Sequence, residues 1–361
     1  MKIVSPLLKK VVYPAMASAG IFPRTSASGL AVVTYHGVIP AGYRPADPAL
    51  DGNLVSVEML RRQLHLLKSQ YRLISPEEAL AWRQGNFQLP ERAVLLTCDD
   101  GLLNCLTGML PVLLEERARC LFFVTGISAA DVRKELWYEN LFLMLLRAPA
   151  TSFAIAQDGI ELRGELGSRA QRLAVWWSMV KRLSQVASDR RDSFLSAWRA
   201  QLASPSLDLK EDSIECRRFG LLTGGELREL AAAGMTIGAH TMSHPMLSQL
   251  PADMAYFEIH DSRAQLESLL TQPVWAFAYP FGNPESVTPE ILAMPRKAGF
   301  DAAFVNFGGG LGTALPVFAL PRVHVTAEMN LAEFEAHVSG FHARLQRTAG
   351  QQSEIPTTVQ A

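Results

Sequence analysis

Seven short apolar runs constrain the fold of this chain more than any other feature. They are residues 30–35 (LAVVTY), 93–98 (AVLLTC), 120–125 (CLFFVT), 235–239 (MTIGA), 274–279 (VWAFAY), 302–306 (AAFVN) and 317–325 (VFALPRVHV). A strand buried on one face alternates apolar and polar residues. A run that is apolar almost throughout is buried on both faces, as in a parallel sheet covered by helices. Longer amphipathic stretches separate the runs. Val57, Leu60, Leu64 and Leu67 recur at helical spacing. Ser75-Pro76-Glu77-Glu78 supplies an N-cap, a proline at the first helical position and a glutamate at the third. Thr223 and Glu226 repeat the capping-box pattern, Gly234 can end that helix, and Thr288-Pro289 opens another. The alternation implies right-handed βαβ units, arranged as a closed barrel or an open doubly wound sheet.

One stretch breaks the rhythm. Residues 128–218 carry no strong strand signal but several helical, Trp- and Arg-bearing segments, among them Trp176-Trp177 and Phe194 to Trp198. They are expected to form a mostly helical insertion after the third strand, over the face where parallel barrels place their sites. The expected organisation is an N-terminal arm or helix over 1–29, the barrel over 30–345 and a disordered tail over 346–361, whose Gly, Gln, Ser, Thr and Pro content offers little to a core.

The formal net charge of -1 over 361 residues gives no concentrated positive field, which argues against nucleic acid as a partner. Cys98, Cys105, Cys120 and Cys216 form no C-x-x-C pair and no disulfide framework, so a reducing compartment is preferred. A cytoplasmic location is expected, with the periplasm as the alternative. Lys2, Lys9 and Lys10 precede a short apolar stretch interrupted by Pro14, too short to span a bilayer. That segment is a candidate for peripheral contact with a membrane.

The chemistry-bearing residues gather at run ends. Asp99 and Asp100 follow run 93–98, and a turn at Gly101 can bring both carboxylates to one site, one for a metal and one for a proton. The alternative is an Asx-turn or helix cap. His240 and His244 follow run 235–239, and two histidines four apart on a helical turn can share a metal ion. With one aspartate they make a three-ligand set with open positions, the catalytic rather than the structural pattern. His36 ends the first run and His324 the last, each a candidate acid or base, and Arg322 is a candidate orienter of a carboxylate. Residues 279–284 (YPFGNP) form a tight loop able to aim a backbone N–H at an oxyanion. Cys98, one residue from Asp99, falls on the opposite strand face and reads as a small core hydrophobe.

These residues resemble the polysaccharide deacetylases of carbohydrate esterase family four. TCDDG at 97–101 is similar to the family's T-F-D-D-G, HTMSH at 240–244 to its H-[ST]-x-x-H, and AYPFG at 278–282 to its third motif without the arginine that often begins it. The resemblance implies an α/β fold, a distorted (β/α)7 barrel. It implies Asp99 as general base, Asp100, His240 and His244 as ligands of a divalent metal, usually zinc, and the backbone around Tyr279 in an oxyanion hole. It implies His36 as general acid by its Tyr-His motif, with His324 second. The implied function is removal of N-acetyl groups from N-acetylhexosamine units of a polysaccharide or oligosaccharide. The alternatives are a catalytically inactive sugar-binding barrel used in exopolysaccharide assembly, and a non-haem iron oxygenase on the same ligand set.

Overall fold

The computed structural model describes residues 5–22, 29–157 and 159–348. The seven runs become β1 (Leu30–Tyr35), β3 (Ala93–Cys98), β4 (Leu121–Val124), β7 (Thr236–Ala239), β8 (Ala276–Ala278), β9 (Ala302–Gly308) and β10 (Leu320–His324). They pair in parallel, in the order β1-β10-β9-β8-β7-β4-β3, and β3 returns to β1 along all six residues, closing the ring. The closure is uneven. β3 meets β4 at only Thr97↔Leu121 and Cys98↔Phe122, because the start of that edge is taken by a short strand, β2 (Arg72–Ile74). The expected (β/α)7 barrel is therefore present, with one added edge strand whose three residues gave no apolar run.

Strand alternation explains why the runs are continuous. Leu30, Val32, Ala93, Leu95, Leu121, Phe123, Ala276, Ala278, Ala302, Phe304 and Leu320 fill the barrel interior. The intervening residues, such as Ala31, Val33, Tyr35, Val94, Leu96 and Cys98, pack under the surrounding helices. Each strand is thus buried twice, as a parallel strand between helices and a filled barrel must be.

The helices begin where their signals stand. Ser56 caps Val57–Gln70, which buries Leu60, Leu64 and Leu67 while Val57 stays 36% exposed in its first turn. Ser75 and Glu78 close a capping box, Glu226 accepts from the Thr223 backbone N–H, and Thr288 caps Pro289–Lys297.

The insertion is less purely helical than expected. Between the helices Trp137–Arg147 and Arg169–Ser184 it carries an antiparallel hairpin, β5 (Ser152–Gln157) and β6 (Ile160–Glu165). These strands are half-buried. Phe153 and Ile155 face inward and alternate with small exposed residues, so they make no continuous apolar run. With Leu141, Leu145, Val180, Phe194 and Trp198 they form a core of their own. Fully buried Arg218 ties this layer to the barrel: it donates to Asp51 at 2.7 Å, to Glu139 at 2.8 Å and to the Leu50 carbonyl at 2.7 Å.

The N-terminal segment is helical over Tyr13–Ser18. Tyr13 and Phe22 are fully buried against Ala336 and Phe341, and the Tyr13 hydroxyl lies 2.6 Å from His342 Nδ1. At the other end the helix Phe341–Thr348 includes the first residues of the expected tail, and residues 349–361 lie outside those described. Among the described residues, no helix is long and apolar enough to cross a membrane.

Candidate active site and metal centre

The interior positions of four strands converge at one mouth of the barrel. Following the alternation past the strand ends, the next interior positions are His36 after β1, Asp99 after β3, His240 after β7, and Arg322 and His324 within β10. The Asp99 backbone N–H is fixed to the Tyr35 carbonyl at 2.9 Å. The chain then reverses through two left-handed residues, Asp100 at φ 76° and Gly101 at φ 72°. This reversal lets neighbouring carboxylates face one site, as the Asp-Asp-Gly sequence predicts. Left-handed backbone is costly for residues with a Cβ and clusters at functional sites. Asp100, Thr241, His244 and Phe281 all adopt it.

The two histidines do not lie on a helical turn as expected. Residues 240–244 form a loop, with Thr241 at φ 64° and His244 at φ 57°. Hydrogen bonds replace the helical ladder. Glu258 accepts from Ser243 N–H and Oγ, both at 2.8 Å, its carbonyl accepts from Met242 N–H, and the Thr241 hydroxyl accepts from His244 N–H at 3.0 Å. The loop brings His240 Nε2 to 3.5 Å and His244 Nε2 to 3.2 Å from Asp100 Oδ1.

These residues fit a metal. His240 Nδ1 lies 2.7 Å from the Ala278 carbonyl, which can only accept, so the proton is assigned to Nδ1 and the Nε2 lone pair faces the site. One ligand atom from each of Asp100, His240 and His244 lies within 4.8 Å of the others, and all three residues are buried. Burial lowers the pKa of His244 and so favours the neutral, ligating form. Electron-pair donors gathered around a buried anion repel one another unless a cation joins them.

Asp99 points to a different partner. Arg322 Nη1 and Nη2 donate to its two carboxylate oxygens, each at 2.6 Å, and both side chains are almost wholly buried. Burial works against the Asp99 charge, yet Arg322 outweighs it and keeps the carboxyl below its ordinary value. The orienting arginine absent from the start of the AYPFG motif is thus supplied by β10, the residue singled out as a candidate orienter. His36 and His324 sit side by side, their rings 4.9 Å apart. Burial, then His36, pushes the His324 pKa down to about 3. The loop after His36 depends on Gly37 at φ 114°, where a Cβ would lie 2.0 Å from Asn104 Oδ1.

Tyr279 itself does not face the site. Its position has outward parity, so its side chain packs away from the site and donates to the Phe318 carbonyl at 2.9 Å. Its backbone N–H is spent on the Phe304 carbonyl at 3.1 Å. The following residue, Pro280, has no N–H. The next donor along the loop belongs to Phe281, which has no backbone partner among the described residues and whose ring centre is 5.0 Å from that of His244.

The family described as polysaccharide deacetylase matches residues 212–305, a stretch holding both histidines and the 279–282 turn. A Bacillus subtilis (strain 168) protein named "Putative polysaccharide deacetylase YxkH" is 26% identical over 117 residues, 32% of this chain and 41% of that protein. The chain thus spans less than half the length of this relative. The chain is similar to proteins described as polysaccharide deacetylases. Two solved structures show the same fold. The Streptococcus pyogenes deacetylase PplD in complex with acetate superposes with a TM-score of 0.53 at 17% identity, over 87% of this chain and 99% of that one. IcaB from Ammonifex degensii gives 0.53 at 19%, over 86% and 97%.

Sequence reasoning missed three supports of the candidate site. Glu258 braces the histidine loop, Trp137 Nε1 donates to the His244 carbonyl at 3.2 Å, and the Tyr138 ring lies 4.7 Å from that of His244. None has a spacing signal, because each comes from a distant helix and meets the loop only in the folded chain.

Proposed function

We propose that this protein is a metal-dependent hydrolase that removes N-acetyl groups from N-acetylhexosamine units of a polysaccharide or oligosaccharide. One observation carries the reading: an arginine-clamped carboxylate, Asp99, stands next in sequence to Asp100, which shares a buried triad with two histidines. A divalent ion held by Asp100, His240 and His244, zinc first, would polarise an acetamide carbonyl and acidify a water molecule.

The chain's own groups then have separable tasks. Asp99 takes a proton from the attacking water, whose oxygen bonds to the carbonyl carbon. Arg322 keeps both oxygens of Asp99 in place for that transfer. The Phe281 N–H is the available donor to the developing oxyanion. The C–N bond breaks as His36 gives a proton to the departing nitrogen, and the products are acetate and a free amine. His324 stands beside His36 as the second candidate acid, and its depressed pKa favours His36.

Acetate release from N-acetylglucosamine oligomers tests the reading, with chelator-treated protein before and after adding zinc. Release that returns with zinc is expected. None in either state, from folded protein, would leave the inactive sugar-binding barrel in its place.

A peripheral membrane contact and a cytoplasmic location, with the periplasm as alternative, belong to the same proposal. Leu7 and Val11, 63% and 56% exposed beside Lys9 and Lys10, support the contact, and co-sedimentation with anionic vesicles tests it.

A further inference from the structure

A cavity of about 520 Å³ is lined by Trp137 of the insertion and by Ser243 of the histidine loop. Ile127 and Ser243 of the barrel mouth form one wall, and the insertion forms the rest. The volume falls within the range of small-ligand sites.

Arg191 lines the cavity. This side chain is 2% exposed, and its guanidinium carbon sits 4.5 Å from the centre of the Trp137 ring. Among the described residues, Arg191 Nε and Nη1 have no hydrogen-bond acceptor. Among the described residues no carboxylate lies within ion-pair distance of it, and Asp192 and Glu258 attract it only from farther away. Burial accordingly lowers the Arg191 pKa. A buried guanidinium is normally paired, because its charge and its five N–H groups are expensive to desolvate without acceptors. Arg218, in the same insertion, shows the usual arrangement, with two carboxylates and a carbonyl.

Two more cations line the cavity, Lys134 and Arg199, the latter fixed to Asn140 Oδ1 at 2.6 Å. Two acids line it as well, Glu135 and Asp192, and Glu135 is held by the Asn140 amide at 2.7 Å. Three cations against two acids leave one positive charge. We propose that this cavity binds a carboxylate, carried by an acidic sugar unit or free in solution, with Arg191 as its principal contact. A planar monoanion matches the guanidinium fork and the net charge, whereas a phosphate dianion would bring excess charge against Glu135 and Asp192. The site does not depend on the deacetylase reading, whose test is acetate release.

Chelator-treated protein, which removes metal as a competing carboxylate site, is titrated with glucuronate, acetate, inorganic phosphate and neutral N-acetylglucosamine at constant ionic strength. Binding is read by calorimetry and by Tm. Glucuronate or acetate should bind saturably and raise Tm, the stronger of the two identifying the source, and the neutral sugar should not. Arg191→Met should weaken that binding about tenfold or more while retaining the wild-type fold, since it removes an unpaired charge. Should Arg191→Met fail to fold, Arg199→Gln serves as the second variant, with a smaller loss expected. Three results would each overturn the proposal: no saturable carboxylate binding by wild type, phosphate binding tighter than either carboxylate, or unchanged carboxylate binding in folded Arg191→Met.

Discussion

Arg322 holds Asp99 by both carboxylate oxygens, and the same Nη1 also donates to the hydroxyls of Thr34 and Thr97, at 3.1 and 3.3 Å. One side chain from the last barrel strand therefore ties the first and second strands of the ring to the proposed base. Replacing it with methionine leaves a buried carboxylate without its cation, so Arg322→Met should cost about 3–5 kcal/mol in denaturant unfolding. Where the variant still folds, the Asp99 pKa should rise. Because the base acts ionised, the acid limb of the pH–rate profile should move to higher pH. An unmoved limb would assign Arg322 a purely structural role.

Asp99→Asn should reduce acetate release by about a hundredfold or more while zinc binding persists. Asp100→Asn should abolish tight zinc binding. Zinc titration of both variants separates the proton-transfer carboxylate from the ligating one, and equal zinc affinities would contradict the division.

His324 and His337 are buried neutral, with pKa values lowered from 6.5 to about 3, chiefly by burial. The unfolded chain binds these protons first. Stability from this source is fully present above about pH 6.5 and is lost as pH falls toward 3. His324→Gln should flatten the stability–pH curve in that window. For activity, His36→Ala should cost about a hundredfold or more and His324→Gln far less. The reverse order would exchange their roles.

Tyr279→Phe should leave kcat unchanged and lower stability by about 1 kcal/mol, the contribution of its hydroxyl bond to the Phe318 carbonyl. A large loss of kcat at unchanged stability would return Tyr279 to the site.

Chelation should lower Tm, because an ion bound only by the folded chain stabilises it by mass action. The shift should vanish in His244→Ala. A chelator-sensitive Tm in that variant would locate the ion elsewhere.

The ring strands were legible because burial on both faces leaves continuous apolar runs. β2 and the β5–β6 hairpin were not, since an edge strand and half-buried strands leave shorter or alternating patterns. The site residues were legible for a related reason. Asp99, His240, His36 and His324 stand at the ends of those runs, where few polar residues belong in a core. Parity carried information too: Tyr279 occupies an outward position, and counting along β8 places it among the helices. The geometry of the histidine loop was out of reach. His240 and His244 meet through left-handed backbone held by Glu258, a contact between distant segments that spacing alone does not encode.

Arg218, Trp137 and Tyr138 make the insertion more than an appendage. A shortened chain that lost residues 128–218 but kept the crossover helix Gly224–Ala232 would retain all seven ring strands, but it would strip the cover from His244 and leave Asp51 without its cation. Trimming toward a minimal barrel would therefore admit solvent to the chemistry before it unfolded the scaffold. Two such barrels could keep the same ring yet differ in what they exclude.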